Sequence, residues 1–202
     1  MEVRDELFGI PQRSVMDPVH GSISFFSHEA VAIDHPLFQR LRSIVQNDVT
    51  SLVFPGATHT RFQHSLGAMH IAGKFLKSLI RSYLRDPKNR HAIDISAEQA
   101  KGIRYLYYCL RLAALLHDTG HFPFSHQFET SKAVETLLKD ARLFKRLWKG
   151  EPWKQYYGTT QIKHLKHEHF SVRVAHEILK HPDTQSTIAP QDVLAIMETT
   201  SC

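Results

Sequence analysis

Cysteine is nearly absent from this 202-residue chain, with only Cys109 and Cys202. Two thiols cannot build the disulfide framework of a small secreted scaffold, so a reducing compartment, the cytoplasm, is expected. Long apolar runs are missing too: no stretch approaches the roughly 20 residues that cross a bilayer. The opening MEVRDELFGI is charged and has no apolar signal core. There is no internal repeat and no low-complexity tract. Tryptophan is scarce at two residues, and charged residues make up an ordinary 22%, which leaves a globular composition. These absences exclude a membrane span, a cystine-stapled module and a solenoid.

What remains is basic and rich in histidine. The formal net charge is +5, the isoelectric point is near 9.2, and histidines number 15. A positive balance favours anionic partners such as nucleotides, phosphates or nucleic acid, although a solvated basic surface reads the same way. Imidazole binds metals and moves protons near neutral pH, so the positions of the histidines matter more than their number.

The periodicity predicts an all-α fold with a small β-like segment near the N-terminus. Residues 15–33 read as a turn or hairpin leading into a helix. HPLFQRLRSI reads as helical, with Leu37, Leu41 and Ile44 on one face. SLVFPGATHT reads as a strand-like run stopped by Pro55-Gly56. From 61 to 84, Phe62, Leu66, Met69, Gly73, Leu76 and Ile80 recur at helical spacing behind a Thr60 cap. Ser96 and Gln99 form a capping-box pattern. The helix they open carries Ile103, Leu106, Tyr107, Leu110, Ala113 and Ala114, then His117 on the same stripe. A further helix is expected from about Ser131 to Trp148, followed by a basic, aromatic loop. Another opens at His167, with Ser171, Val174 and Ile178 inward, and a last one begins near Pro190.

Three separate helices thus turn a histidine inward, at 64, 117 and 167, and the second also supplies Asp118. An inward imidazole is costly unless hydrogen-bonded or ligated. A single one is usually a satisfied core residue, and a bare His-Asp pair means little. Two imidazoles with a carboxylate suit a transition metal or zinc, whereas an oxygen-rich site suits magnesium. Such an ion acidifies water and polarises a phosphoryl oxygen.

The ordered pieces DPVHG, FQRLR, VFPGATHTRFQHSLG, LLHDTGHFPFSHQFE and HEHFSV together resemble the HD-domain phosphohydrolases. The likeness is to their deoxynucleoside triphosphate triphosphohydrolase branch, and it runs from about Met16 to near residue 200. It implies one HD domain over residues 1–202, a helical bundle around one divalent ion (Mn, Fe, Zn, Ni, Co or Mg). His64, His117 and Asp118 would be ligands and Arg61 a phosphate-binding residue. His126 would transfer the proton, His121 and His167 would meet the phosphates, and Glu129 would orient His126 or simply favour a helix start. The implied reaction releases a deoxynucleoside and tripolyphosphate. Two alternatives stand beside it: hydrolysis of another nucleotide, or binding without turnover.

The resemblance also maps Asp34, Gln39 and Arg42 onto a site for an activating nucleotide, although a purely structural helix-start network explains the same residues. The family's further Asp ligand has no counterpart here, since Asp140, Asp183 and Asp192 stand in other contexts. The chain therefore reads as lacking the C-terminal part of a full-length, homo-oligomeric relative. The remaining histidines, among them His28 and His70, read as surface or locally bonded residues. The stretch around Lys145, Arg146, Trp148, Lys149, Trp153 and Lys154 reads as a solvated loop, with nucleic-acid contact by charge and stacking as the alternative.

Overall fold

The computed structural model describes residues 5–86, 88, 95–150, 153 and 165–199. A two-stranded antiparallel ribbon stands at the front of a mostly helical body. Strand β1 (Arg13–Asp17) pairs with β2 (Gly21–Phe25), Val15 opposite Ile23. Asp17 closes the turn by accepting the N–H groups of Val19 and His20 at 2.9 and 2.8 Å. Gly21 supplies the positive φ, +71°, that the turn requires. β2 then drops Ile23 and Phe25 into the core.

Helix α1 (Ser27–Asp34) and the short α2 (Pro36–Gln39) follow. The predicted single helix over HPLFQRLRSI is instead α2 running into a 3-10 turn, Arg40–Ser43. Phe38, Leu41 and Ile44 form its buried side, and Leu37 is only half-buried. The strand expected at SLVFPGATHT is also absent. Asp48–Leu52 is a 3-10 turn, and Leu52, Val53 and Phe54 are exposed. Its β-branched residues have no neighbouring strand to pair with, so their propensity is not realised.

The two long helices form as predicted. α3 (Arg61–Arg85) starts at Thr60, whose hydroxyl accepts the Gln63 N–H while Gln63 returns the bond. α4 (Ala97–Leu116) starts with the same box between Ser96 and Gln99. They pack side by side, burying Leu66, Met69, Leu112, Leu115 and Leu116. Leu106, expected inward, is exposed, and Cys109 takes its place on the buried stripe. Burial pushes the Cys109 thiol up to about 11.

The expected helix from Ser131 to Trp148 is broken in two. After α5 (Ser125–Thr130) come α6 (Lys132–Leu138) and α7 (Ala141–Leu147), parted where Asp140 caps the next turn through the Arg142 N–H. Trp148 and Trp153 are buried, Trp148 edge-on to Phe170 and Trp153 against His176. Their rings serve the core, which corrects the reading of this stretch as a solvated loop or a stacking surface. Lys154 lies outside the described residues. Finally α8 (His167–Leu179), α9 (Pro182–Gln185) and α10 (Pro190–Thr199) close the body, α10 packing on both α4 and α8. Among the described residues no helix is long and apolar enough to cross a membrane.

Candidate metal centre

Three helix ends meet at one point. The first turn of α3 brings Arg61 and His64, the end of α4 brings His117 and Asp118, and the first turn of α8 brings His167. The loop after α4 must approach α8 closely to do this. A Cβ at Gly120 would lie 2.1 Å from the Ser171 backbone nitrogen and 2.2 Å from the His167 carbonyl oxygen. Only glycine fits there. The Gly120 N–H donates to Ser171 Oγ at 2.8 Å, and Thr119 Oγ1 donates to the Leu116 carbonyl at 2.7 Å. Arg40 reaches across from the 3-10 turn and donates to the carbonyls on either side of the glycine. Its bond to the His121 oxygen is 2.8 Å, and its second arm holds the Thr119 oxygen. The FQRLR motif contains Arg40, but nothing in sequence spacing links it to a loop some eighty positions away.

His64 Nε2 and His117 Nε2 face each other at 3.3 Å. His117 Nδ1 lies 2.8 Å from the Ala114 carbonyl oxygen. A carbonyl can only accept, so Nδ1 carries the proton and Nε2 presents its lone pair. Asp118 Oδ1 is 3.3 Å from His117 Nε2, and Oδ2 is 3.7 Å from His64 Nε2. These three donors, all within 4.8 Å of one another, could hold a metal ion. Two nitrogens bound at about 2.0–2.1 Å to one ion stand roughly 3.0–3.4 Å apart at ordinary angles, so the facing imidazoles fit such an ion. Burial holds His64 below the usual imidazole range despite the neighbouring Asp118, which keeps it in the neutral form a metal requires. A second group, Asp118, His121 and His167, meets the same separation.

Asp118 is the hub. Burial alone would raise its pKa, but the hydrogen bond from His121 and the charges of His117, His121 and Arg61 outweigh it. The carboxyl is held well below the usual carboxylate range. Arg61 Nη1 donates to Oδ2 at 2.6 Å, with both side chains buried. Arg61 is therefore engaged with a ligand carboxylate and does not stand open on the helix surface.

Behind Asp118 the imidazoles form a stack. His121 Nε2 lies 3.5 Å from Asp118 Oδ1, and its ring stacks on that of His167 at 3.7 Å. His167 Nδ1 and backbone N–H both meet Glu129 Oε1, at 3.1 and 3.0 Å. Burial would raise Glu129, but the His167 contacts outweigh it and lower its pKa. Glu129 thus orients His167, where the expected partner was His126. The His126 side chain lies outside the described residues. A cavity of about 250 Å³ opens beside His117, Asp118 and His167, with Glu168 and Met197 on its wall.

The other residues singled out in the sequence lie away from this cluster. Gln39 Nε2 donates to the Ile33 carbonyl, and Arg42 Nε donates to Gln39 Oε1, both at 2.7 Å. The Arg42 guanidinium covers the Phe62 ring. Asp34 is exposed and lies 3.7 Å from Arg13. Asp192 accepts the Tyr105 hydroxyl, Asp140 caps α7, and Asp183 is exposed beside His181. His28, read as a surface residue, is buried against Phe26 and Tyr108. The largest groove, about 880 Å³, runs past His28, Arg13 and Asp34 and touches none of the clustered ligands.

Residues 61–199 match the HD domain family model. The chain is 40% identical over 119 residues to the deoxynucleoside triphosphate triphosphohydrolase SAMHD1 of Danio rerio, covering 59% of this chain and 17% of that one. The Mus musculus protein of the same name is 36% identical over 150 residues, 74% of this chain and 19% of that one. An uncharacterized protein of Methanocaldococcus jannaschii is 31% identical over 179 residues, 89% of this chain and 30% of that one. The chain thus spans under a fifth of the length of these two animal relatives. With the family model covering most of its length and the His-Asp pair at the meeting point of three helices, the chain belongs to the HD-domain family.

Proposed function

We propose that this chain is the catalytic core of a metal-dependent phosphohydrolase that cleaves deoxynucleoside triphosphates into deoxynucleoside and tripolyphosphate. The observation that carries it is the facing pair His64 and His117 with Asp118 between Arg61 and His121. The substrate class rests on the names of the relatives. His64, His117 and Asp118 would hold one divalent ion, which supplies acidification of water and polarisation of a phosphoryl oxygen. A mixed nitrogen and oxygen donor set suits Mn, Fe, Co, Ni or Zn better than Mg.

The chain's own residues do the rest. Arg61 keeps Asp118 ionised and lends positive charge to the phosphates. His121 and His167 line the approach, where imidazole N–H groups stabilise charge developing on the phosphoryl oxygens. Glu129 fixes the orientation of His167 through two bonds. Water adds to the α-phosphorus, the bond to the 5′ oxygen breaks, and that oxygen takes up a proton, a transfer assigned to His126 from the sequence. An activating nucleotide at Asp34, Gln39 and Arg42 has less support, because Gln39 and Arg42 already satisfy each other.

The test is product analysis. Purified chain is incubated with each deoxynucleoside triphosphate and each divalent ion in turn, and products are resolved by chromatography and phosphorus NMR. Deoxynucleoside and tripolyphosphate in equal amounts, lost with His126→Ala, are expected. Release of monophosphate or single phosphates would instead place the cleavage elsewhere, and metal-dependent turnover unchanged in His126→Ala would overturn the proton-transfer role.

A further inference from the structure

A second polar cleft, about 210 Å³, lies between the β ribbon and the flanks of α3 and α4. It shares no lining residue with the cavity at the metal centre. His70, Lys74 and Lys77 line it from α3, at the i, i+4 and i+7 spacing that puts three side chains on one helical face. Arg111 and Tyr107 line it from α4, and Ser24 from β2.

Its wall is built, not incidental. Arg111 is buried, with Nε and Nη2 on the two oxygens of Glu29 at 2.6 and 2.8 Å and a further bond from Nη2 to the Ser24 carbonyl. Gly73 makes room for this. A Cβ there would fall 2.8 Å from Arg111 Nη1 and 3.1 Å from the Tyr107 hydroxyl. The neighbouring carboxylates are already engaged. Glu29 accepts from Arg111 and from the Phe26 N–H, and Asp17 from the ribbon turn. Among the described residues His70 Nε2 is buried without a hydrogen-bond partner. The 25 residues of α3 include no Asp or Glu, so Lys74 and Lys77 repel each other with no acid on their own helix to offset it.

We propose that this cleft binds a phosphate-bearing anion, held by Lys74, Lys77 and the His70 ring against the Arg111–Glu29 pair. Two ammonium groups and an imidazole N–H provide charge and donors for a tetrahedral oxyanion. The volume is below the roughly 300–1,000 Å³ of pockets that enclose a whole drug-sized ligand. The cleft therefore takes the phosphate group, whether free or at the end of a nucleotide, and leaves any sugar and base outside. This inference does not depend on the reaction proposed above.

The test is calorimetric titration of the full chain, in EDTA, with inorganic phosphate, pyrophosphate and adenosine monophosphate, against chloride at matched ionic strength. Saturable phosphate binding is expected, weakened at least 10-fold in Lys74→Gln/Lys77→Gln and unchanged in His64→Ala. Glutamine keeps the helix propensity of lysine, and circular dichroism checks the fold. Monophosphate binding no tighter than phosphate identifies the free anion as the ligand. Tighter monophosphate binding, also lost in the double variant, identifies a nucleotide phosphate. Absence of saturable binding, binding unchanged in the double variant, or binding lost in His64→Ala would each overturn the proposal.

Discussion

Two buried arginine–carboxylate pairs sit in this molecule, and they are built differently. Arg111 meets Glu29 and Arg61 meets Asp118, each at 2.6 Å. Glu29 is fully buried, and its oxygens are taken by the arginine fork and one backbone N–H. Charge and hydrogen bonds are balanced, and the pair ties α1 to α4. Asp118 keeps a small exposed edge and has three imidazoles within 3.3–3.7 Å besides its arginine. Donors and lone pairs crowd around one carboxylate beyond what a fold needs. A balanced ion pair holds structure, while an over-supplied carboxylate marks chemistry.

The largest expected effect that separates the two is on stability. Arg111→Ala strands Glu29 without its partner, and breaking such a buried pair costs about 3–5 kcal/mol. Denaturant unfolding reads the loss. Gly120→Ala comes next, because its methyl would collide with the α8 backbone and not with a movable side chain. Overpacking of this kind costs about 1–3 kcal/mol, and here turnover should fall with stability.

Arg40→Ala should act on the site more than on the fold. The clamp on the Thr119 and His121 carbonyls lies behind the ligands, and losing such outer support lowers metal affinity or activity by about 10–100-fold. A metal titration beside a thermal melt checks this, with affinity expected to drop further than the melting temperature implies.

The smallest effect concerns pH. Burial lowers the His28 pKa below the ordinary 6.5, with Glu29 opposing and Arg111 adding to the shift. The unfolded chain then binds the proton more readily than the folded one. His28 leaves stability undiminished above about pH 6.5 and erodes it as pH falls below that value towards its lowered pKa. Replacing it with Phe should flatten the unfolding free energy over that acidic range.

The same contrast explains what the sequence disclosed. α3 and α4 were legible because caps and periodic apolar residues act within a few positions, as at Thr60–Gln63 and Ser96–Gln99. The three inward histidines were legible from those same helices. Long-range polar pairs were not. Glu29 finds Arg111 across 82 positions and Arg40 finds Thr119 across 79, and no local pattern encodes such a partner. Short elements also misled. Val49, Leu52, Val53 and Phe54 look strand-like, yet no neighbouring strand pairs with them. Asp140 ended a helix whose apolar period ran through it, because a side-chain cap outweighed propensity.

The central claim is that His64, His117 and Asp118 form one metal site. Metal content of the purified, metal-loaded chain, measured by mass spectrometry against Asp118→Ala, tests it most directly. Close to one divalent ion per chain, lost in the variant, is the predicted result. No bound ion in either protein, or an equal amount in both, would contradict it.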